Sequence, residues 1–170
     1  MILIAIGGNL VTVDGTPPLA VCRRAVAALD AMPGMRLCGL SAWYSTAPIP
    51  PSDQPRYVNA VAHLAVEPGA SEPDPAQLLA ALQAIESRAG RVRGAANAAR
   101  TLDLDIITMG EGGQMVRMRP DPILPHPRAH ERGFVLIPLR DVAPGWVHPV
   151  LRLGVAALIA ALPPQDVRLL

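Results

Sequence analysis

Residues 101–107 read TLDLDII and alternate between apolar and acidic side chains, which predicts a half-buried β-strand. The apolar members share the face that we expect to pack on the core: Leu102, Leu104 and Ile106. Asp103 and Asp105 share the opposite face, about 6.6 to 7 Å apart at a rise of roughly 3.3 Å per residue. The strand therefore carries a core face on one side and a pair of carboxylates on the other.

A second strand with the same period-two pattern is predicted over residues 57–66, YVNAVAHLAV. Its core face consists of small and branched apolar residues: Val58, Ala60, Ala62, Leu64 and Val66. Tyr57 and Asn59 lie together on the other face. Two further strands are predicted for the opening residues MILIAI and for residues 35–44.

Two helices are predicted between these strands. The first follows the glycine-rich loop GGNLVTVDG, with Thr16 as its cap and Pro17 as its first residue. Its apolar positions recur at helical spacing: Leu19, Cys22, Val26 and Leu29. The second is capped by Asp74 and Pro75 and ends near Gly90. Its buried stripe is expected to be Leu78, Leu79, Leu82 and Ile85, with Gln83 and Glu86 together on another side.

The order strand, helix, strand, strand, helix, strand is the connectivity of a ferredoxin-like α+β sandwich, βαββαβ, here with extra C-terminal strand and helix elements. After the aspartate strand we expect a glycine-rich turn at residues 111–113, a short strand-like segment at 115–118 and an amphipathic helix from about Val150. The chain of 170 residues has the usual size of one domain and shows no internal repeat.

The charge balance argues against whole classes of partner. With 15 basic and 14 acidic residues, the formal net charge is +1, so no general field would recruit nucleic acid or an anionic membrane. Cys22 and Cys38 are too few and too far apart for a zinc motif or a disulfide framework. No apolar run approaches the roughly 20 residues of a membrane span, and the opening residues lack a basic leader. We expect a soluble, cytoplasmic protein.

The acidic face of residues 101–107 favours a site for hard cations. Magnesium takes oxygen ligands, and two ions about 3.5 to 4 Å apart can bridge the oxygens of a polyphosphate. Arg91 and Arg93 precede the aspartates, and Arg100 stands three residues before Asp103, so planar donors for phosphate oxygens lie nearby. Two solvated aspartates on an edge strand would give the same pattern. Other metal-dependent nucleotidyl- or glycosyltransferases are one alternative, and a non-enzymatic ferredoxin-like ligand-binding or regulatory module is another.

Four segments resemble the 6-hydroxymethyl-7,8-dihydropterin pyrophosphokinase (2-amino-4-hydroxy-6-hydroxymethyldihydropteridine diphosphokinase) family. GRVR followed by RTLDLDII is similar to the family's magnesium-anchoring signature. IAIGGNL resembles its opening strand and loop, WYSTAPIPPSDQPRYVNAV its pterin-binding segment, and LPHPRAHERGFVLIPL its distal nucleotide-binding segment. The segments occur in the family's order and span nearly the whole chain. The resemblance implies one pyrophosphokinase domain over residues 1–170 that acts in folate biosynthesis.

The resemblance also implies a role for each matching residue. The pterin contacts would be Thr46, Ile49, Tyr57, Asn59 and Phe134, with Phe134 stacking on the ring. The ATP site would contain Gln83, Glu86, Arg93, His126 and Arg132. Asp103 and Asp105 would hold two magnesium ions, and the catalytic group would be Arg91, Arg93, Arg100, Asp103 and Asp105. The implied reaction is attack by the hydroxymethyl oxygen on the β-phosphorus of ATP, which releases AMP.

The chain departs from the family pattern at two places. GGN at residues 7–9 stands where the family commonly has GSN, and AANAAR at residues 95–100 stands where the family commonly has an arginine-tryptophan-glycine-proline-arginine run. In the family that tryptophan lies on a mobile loop that closes over both ligands, so we expect looser or slower closure here. A monomer that binds small-molecule substrates, and neither nucleic acid nor membrane, is expected.

Overall fold

Six strands form one antiparallel sheet in the computed structural model, which describes residues 1–92 and 98–170. The strands are β1 (Ile2–Gly8), β2 (Met35–Leu40), β3 (Tyr44–Thr46), β4 (Tyr57–Val66), β5 (Asp103–Thr108) and β6 (Val167–Leu169). Their order across the sheet is β5-β1-β4-β3-β6, and β2 pairs with the second half of β4. The long strand β4 therefore pairs with β1 on one side and with both β2 and β3 on the other.

Four helices cover the two faces of the sheet within the described residues. They are α1 (Pro18–Asp30), α2 (Pro75–Arg88), α3 (Gly133–Val142) and α4 (Val155–Ala160). Helices α1 and α2 pack on one face, and α3 and α4 pack on the other. The order β1-α1-β2-β3-β4-α2-β5 confirms the predicted ferredoxin-like α+β class, and α3, α4 and β6 are the C-terminal additions.

Alternation along the central strands builds one apolar core on each face. Ile4 and Ile6 of β1 join the core under α1 and α2, whereas Leu3 joins the core under α3 and α4. With both faces covered, the strand ends are the part of the sheet that a small ligand can reach. Asp103 lies at such an end, since it pairs with Gly7 near the end of β1.

The single strand predicted over residues 35–44 is wrong in extent, because β2 and β3 are separated by residues 41–43. At this break the Ser41 N–H donates to the Val61 carbonyl over 3.0 Å, and the Val61 N–H donates to the Ser41 hydroxyl oxygen over 2.9 Å. A side-chain hydroxyl thus takes the place of a main-chain acceptor, which lets the backbone leave the regular ladder.

The two predicted helix starts have different outcomes. Helix α1 begins one residue later than predicted, with Pro17 as N-cap and Pro18 as first residue. The Thr16 hydroxyl does not cap the helix, because it donates to Asp14 Oδ1 over 2.9 Å. Helix α2 begins as predicted, and the Asp74 carboxylate accepts two N–H groups of the first turn at 2.9 and 3.2 Å.

The C-terminal elements are shorter than predicted. The helix expected from about Val150 begins at Val155, because His148 Nδ1 accepts two N–H groups of the residues that follow it, at 3.3 and 3.1 Å, and holds a turn there. The strand-like segment 115–118 contributes only an isolated bridge at Arg117. Within residues 1–92 and 98–170, no helix combines the length and apolar character needed to cross a membrane.

Candidate active site

A cavity of about 270 Å³ opens between β3, the loop that follows it and the start of α3. All five residues predicted to contact the pterin line it: Thr46, Ile49, Tyr57, Asn59 and Phe134. Three of the residues predicted for phosphate or metal line the same cavity: Arg100, Asp103 and Arg132. Two groups of residues that were predicted for different ligands therefore share one site.

The sheet register explains why these side chains meet. Asn59 of β4 pairs with Gly7 of β1, and Gly7 pairs with Asp103 of β5. Directly paired residues project from the same face of an antiparallel sheet, so Asn59 and Asp103 flank Gly7 on the face that carries the cavity. A β-carbon on Gly7 would lie 3.0 Å from Asn59 Oδ1, so glycine keeps the space between the two polar side chains free.

Buried hydrogen bonds fix the polar wall of the cavity. Asn59 Nδ2 donates to Thr46 Oγ1 over 2.8 Å, and both residues are buried. This bond orients the carboxamide so that its oxygen is an acceptor, and it leaves the Thr46 hydroxyl hydrogen as a donor. At the rim, the Tyr57 hydroxyl donates to Gln54 Oε1 over 2.8 Å. A fixed donor and acceptor suit a flat heterocycle with ring nitrogens and polar substituents.

Phe134 and Arg132 form the opposite wall, at the start of α3. Phe134 is the only phenylalanine in the chain, and the Arg132 guanidinium lies 5.4 Å from the centre of its ring. Burial is the main cause that lowers the pKa of Arg132, but a guanidinium remains charged at any physiological pH. The guanidinium therefore lies over one face of the Phe134 ring.

The two aspartates of β5 have different surroundings. Asp103 accepts hydrogen bonds from Arg91 Nη1 at 2.6 Å and from Arg100 Nη1 at 2.8 Å, so two cations balance its charge. The Asp105 carboxylate accepts no hydrogen bond from residues 1–92 or 98–170. Burial, and after it the charge of Asp103, raises the pKa of Asp105 to about 6. A bound cation would offset the cost of burying this charge.

Glu86 lies behind this pair. The sequence placed it with Gln83 on a side of α2 away from the apolar stripe, but only 4% of Glu86 is exposed. Its Oε1 accepts the Leu104 N–H over 2.7 Å and also binds Arg91, which in turn binds Asp103. Burial raises the pKa of Glu86, and these hydrogen bonds oppose the rise. Glu86 thus orients Arg91 toward Asp103.

His126 lies beside β5, because its backbone N–H donates to the Ile107 carbonyl over 2.8 Å. Its Nδ1 accepts the Arg128 N–H over 3.1 Å, which assigns the ring hydrogen to Nε2. Burial, and after it the charge of Arg132, lowers the pKa of His126 to about 4. At neutral pH the ring is therefore uncharged and offers one N–H donor.

Among the described residues, five of the predicted site residues do not line this cavity: Gln83, Glu86, Arg91, Asp105 and His126. Arg93 belongs to residues 93–97, which lie outside the described residues. Gln83 is half-buried on α2 and does not line the cavity. Over the described ranges, no group of three or more His, Cys, Asp or Glu residues is arranged to hold a metal ion. A metal at Asp103 and Asp105 would therefore take further ligands from its substrate or from water.

Sequence reasoning missed Asn9, which joins three parts of the site. Its Oδ1 accepts the Arg100 N–H over 2.9 Å, its Nδ2 donates to the Pro55 carbonyl over 3.0 Å, and its own N–H donates to the Arg100 carbonyl over 2.9 Å. Asn9 is only 3% exposed. The available signal was its position after two glycines at a strand end, where asparagine often bonds to the backbone.

A close contact explains the glycine that replaces the family's usual serine in GGN. A β-carbon on Gly8 would lie 2.4 Å from the Thr101 carbonyl oxygen, so a side chain there requires the backbone to move. The end of β1 therefore packs against Thr101, two residues before β5, more closely than serine allows.

The protein thus has a ferredoxin-like α+β fold whose cavity combines an aromatic ring and a buried Asn59–Thr46 pair with Arg100, Asp103 and Arg132. In a comparison with protein families, residues 3–144 match 7,8-dihydro-6-hydroxymethylpterin-pyrophosphokinase (HPPK). The chain belongs to this family. Membership confirms the resemblance of the four segments and excludes the nucleotidyl- and glycosyltransferase alternatives.

Individual relatives agree with this assignment. The chain is 40% identical over 162 residues to the 2-amino-4-hydroxy-6-hydroxymethyldihydropteridine pyrophosphokinase of Pseudomonas aeruginosa, and the match covers 95% of this chain and 91% of that protein. It is 39% identical over 147 residues to the protein of the same name from Haemophilus influenzae, covering 86% and 83%. A crystal structure of Plasmodium falciparum HPPK-DHPS with SDX-DHP matches with a TM-score of 0.62 at 13% identity, covering 94% of this chain and 43% of that one. The last likeness shows the fold alone, and the chain spans less than half of that structure.

Proposed function

We propose that this chain transfers pyrophosphate from ATP to 6-hydroxymethyl-7,8-dihydropterin and releases AMP, with two magnesium ions bound at Asp103 and Asp105. The observation that carries the proposal is the shared cavity, in which the five residues predicted for the pterin stand next to Asp103, Arg100 and Arg132. As a member of the HPPK family, the chain transfers pyrophosphate to hydroxymethyldihydropterin in folate biosynthesis. The proposal adds the metal ions and the residues that hold each substrate.

The pterin occupies the cavity of about 270 Å³, whose size suits a bicyclic ring rather than a whole nucleotide. Asn59 and Thr46 bind the polar edge of the ring, and Phe134 stacks on its face. Ile49 and Tyr57 close the sides. This arrangement directs the hydroxymethyl group toward Asp103 and the arginines, since these residues line the remaining side of the cavity.

The triphosphate of ATP lies along the basic side of the site. Arg91, Arg100 and Arg132 supply guanidinium forks that match phosphate oxygens, and the neutral His126 ring donates its Nε2 hydrogen to another oxygen. Gln83 and Arg93 belong to the same proposed ATP site. Glu86 serves it through Arg91, because its carboxylate is already bonded to that guanidinium and to the Leu104 N–H.

The residues of β5 fit magnesium. Both ligands are carboxylates, and the Asp105 carboxylate has no donor among the described residues. Magnesium is usually held by one or two carboxylates together with substrate phosphates, so a two-aspartate site is sufficient. When bound, magnesium would neutralise charge on the polyphosphate. Arg91 and Arg100, which pair with Asp103, would then be available to the phosphate oxygens.

In the reaction, the hydroxymethyl oxygen bonds to the β-phosphorus and loses its proton to water, and the bond from that phosphorus to the oxygen bridging the α-phosphorus breaks. AMP leaves, and both terminal phosphates remain together on the pterin. Negative charge grows on the leaving oxygen, where the arginines stabilise it. Positioning and charge neutralisation are the main contributions in phosphoryl-type transfer, and the contacts of Asn59, Phe134 and the arginines serve those two needs.

We infer that residues 1–170 act as one domain, as a cytoplasmic monomer that binds small molecules and neither nucleic acid nor membrane. The two apolar cores cover opposite faces of the same sheet, which supports a single cooperative unit. The net charge of +1 offers no general field for a polyanionic partner. Sedimentation should give one species with the mass of a single chain, and a stable dimer would contradict the monomer.

The function is tested with purified protein, ATP, magnesium and 6-hydroxymethyl-7,8-dihydropterin, with AMP as the readout. Wild type should release one AMP for each pterin consumed, whereas Asp103→Ala and Asp105→Ala should lose at least about 99% of the rate, the scale of losing a main source of charge stabilisation. Asp121→Ala, in an exposed loop, is the matched control and should retain the wild-type rate. Pterin binding without AMP release by wild type would instead identify a degenerate family member that binds without turnover.

A further inference from the structure

We infer that two neighbouring C-terminal residues, Gln165 and Asp166, position the two walls of the pterin cavity relative to each other. The inference rests on the proposed function, since that function gives the walls their roles. Both residues lie beyond the part of the chain that matches the family model, residues 3–144. Neither lines the cavity, so each acts through residues that do.

Gln165 holds the backbone on both sides of Arg132. Its Oε1 accepts the Gly133 N–H over 2.7 Å, and its Nε2 donates to the Glu131 carbonyl over 3.0 Å. One carboxamide thus bonds to the peptide group before Arg132 and to the peptide group after it. Since Gly133 is the first residue of α3 and no side chain of the helix caps this end, Gln165 supplies the missing cap from a distant part of the chain. Phe134 follows directly in the same first turn.

The glycine between Arg132 and Phe134 shows how closely Gln165 approaches. A β-carbon on Gly133 would lie 2.9 Å from Gln165 Oε1 and 3.4 Å from its Cδ. The glycine therefore admits the glutamine side chain against the backbone. With an alanine at position 165 the two closest of these atoms would be absent, and the remaining β-carbon of residue 165 would lie 3.5 Å from a β-carbon on residue 133, an ordinary contact distance.

Asp166 holds the opposite wall. Its backbone carbonyl accepts the Ala47 N–H over 3.1 Å, directly after Thr46, and its Oδ2 accepts Arg56 Nη1 over 2.6 Å. Arg56 also donates to the hydroxyl and the carbonyl oxygen of Ser45, at 2.8 and 3.0 Å. Asp166 is therefore bonded to the segment that carries Thr46 and leads to Ile49.

The two walls are thus bonded to consecutive residues, Gln165 and Asp166, of the C-terminal tail (residues 165–169). The tail continues into β6, which pairs with β3 in the register of Thr46 with Val167. The peptide unit between Gln165 and Asp166 therefore links the Asn59–Thr46 wall to the Phe134 wall, in addition to the packing of α3 on β4. A misplacement of about 1 Å can cost on the order of 100-fold in rate, so loss of this link should lower kcat/KM for the pterin.

The test compares Gln165→Ala with Gln114→Ala. Gln114 is the matched control, because its Nε2 also donates to a backbone carbonyl, that of Val147 at 2.9 Å, but away from the cavity. Gln165→Ala should weaken pterin binding, measured by pterin fluorescence without ATP, about tenfold and lower kcat/KM for the pterin by a similar factor. Gln114→Ala should leave both unchanged, and the two variants should have melting temperatures within about 2 °C of each other.

A double substitution separates positioning from general damage. Gly133→Ala alone should weaken pterin binding, because its β-carbon displaces Gln165. Gly133→Ala combined with Gln165→Ala should bind the pterin no more weakly than Gln165→Ala alone. Wild-type affinity in Gln165→Ala, or additive losses in the double variant, would overturn the inference while wild-type AMP release still upheld the function. Absence of AMP release from wild type would instead overturn the proposed function.

Discussion

Two substitutions of Glu86 should measure separately what its hydrogen bond to the Leu104 N–H and its negative charge contribute to stability. In Glu86→Ala, the Leu104 N–H loses its acceptor inside the core, which costs about 1–3 kcal/mol. Arg91 also loses a buried partner, but it keeps Asp103 and its side chain is 21% exposed, so the charge is not stranded. The total loss of stability should be about 3 kcal/mol, the upper limit for an unsatisfied buried N–H, and should not reach the upper part of the roughly 3–5 kcal/mol range for a stranded buried charge.

Glu86→Gln keeps an oxygen for the Leu104 N–H and removes the charge whose burial raises the pKa of Glu86, so it should cost only about 1 kcal/mol. Thermal and urea unfolding measure both variants, and about 3 kcal/mol corresponds to roughly 6–12 °C in a chain of this length. Glu67→Ala, at an exposed position, is the control and should change the melting temperature by less than about 2 °C. Equal losses of stability in the alanine and glutamine variants would show that the hydrogen bond from the Leu104 N–H contributes nothing.

Four further predictions concern pH and packing. Because the pKa of Asp105 is raised to about 6, the metal-free protein should lose stability as pH rises from about 4 to about 7, and Asp105→Asn should remove that loss in urea unfolding. Magnesium affinity, measured by calorimetry, should weaken about tenfold for each pH unit below about 6, and an affinity independent of pH would contradict the assignment. His126, with a pKa of about 4, should show no titration midpoint between about pH 5 and 8 by NMR, and a midpoint near about 6.5 would exclude a neutral donor. Gly8→Ser should destabilise the protein by about 1–3 kcal/mol. Gly145→Ser is the control and should be nearly neutral, because a β-carbon added there would meet nothing within 4 Å beyond its chain neighbours. Equal losses of stability in the two variants would contradict the close contact between Gly8 and Thr101.

Local sequence patterns predicted the elements whose structure depends on local chemistry. Alternation identified β4 and β5 and placed Asp103 and Asp105 on one face, because side-chain direction in a strand follows the period of two. Asp74 was recognised as a cap because its bonds reach only two and three residues ahead. The five pterin residues came from the family resemblance, and alternation independently paired only Tyr57 with Asn59.

The features that the sequence did not reveal depend on contacts between distant segments. Glu86 is buried where its carboxylate accepts the Leu104 N–H of β5. Helical periodicity could not predict this, because it carries no information about a neighbouring strand. The strand predicted over residues 35–44 breaks where the Ser41 hydroxyl bonds to Val61. Asn9 accepts a hydrogen bond from Arg100, 91 positions away, and Gln165 accepts one from Gly133, 32 positions away. Contacts at such separations leave no recognisable pattern in the sequence.

The most direct test of the central claim is the identity of the phosphorus-containing products, measured by ³¹P NMR after reaction of the protein with ATP, magnesium and 6-hydroxymethyl-7,8-dihydropterin. Attack at the β-phosphorus predicts equal amounts of AMP and a pterin diphosphate with two coupled phosphorus signals. Omitting the pterin should leave ATP intact. ADP with a pterin monophosphate, or free phosphate formed equally well without the pterin, would contradict the account.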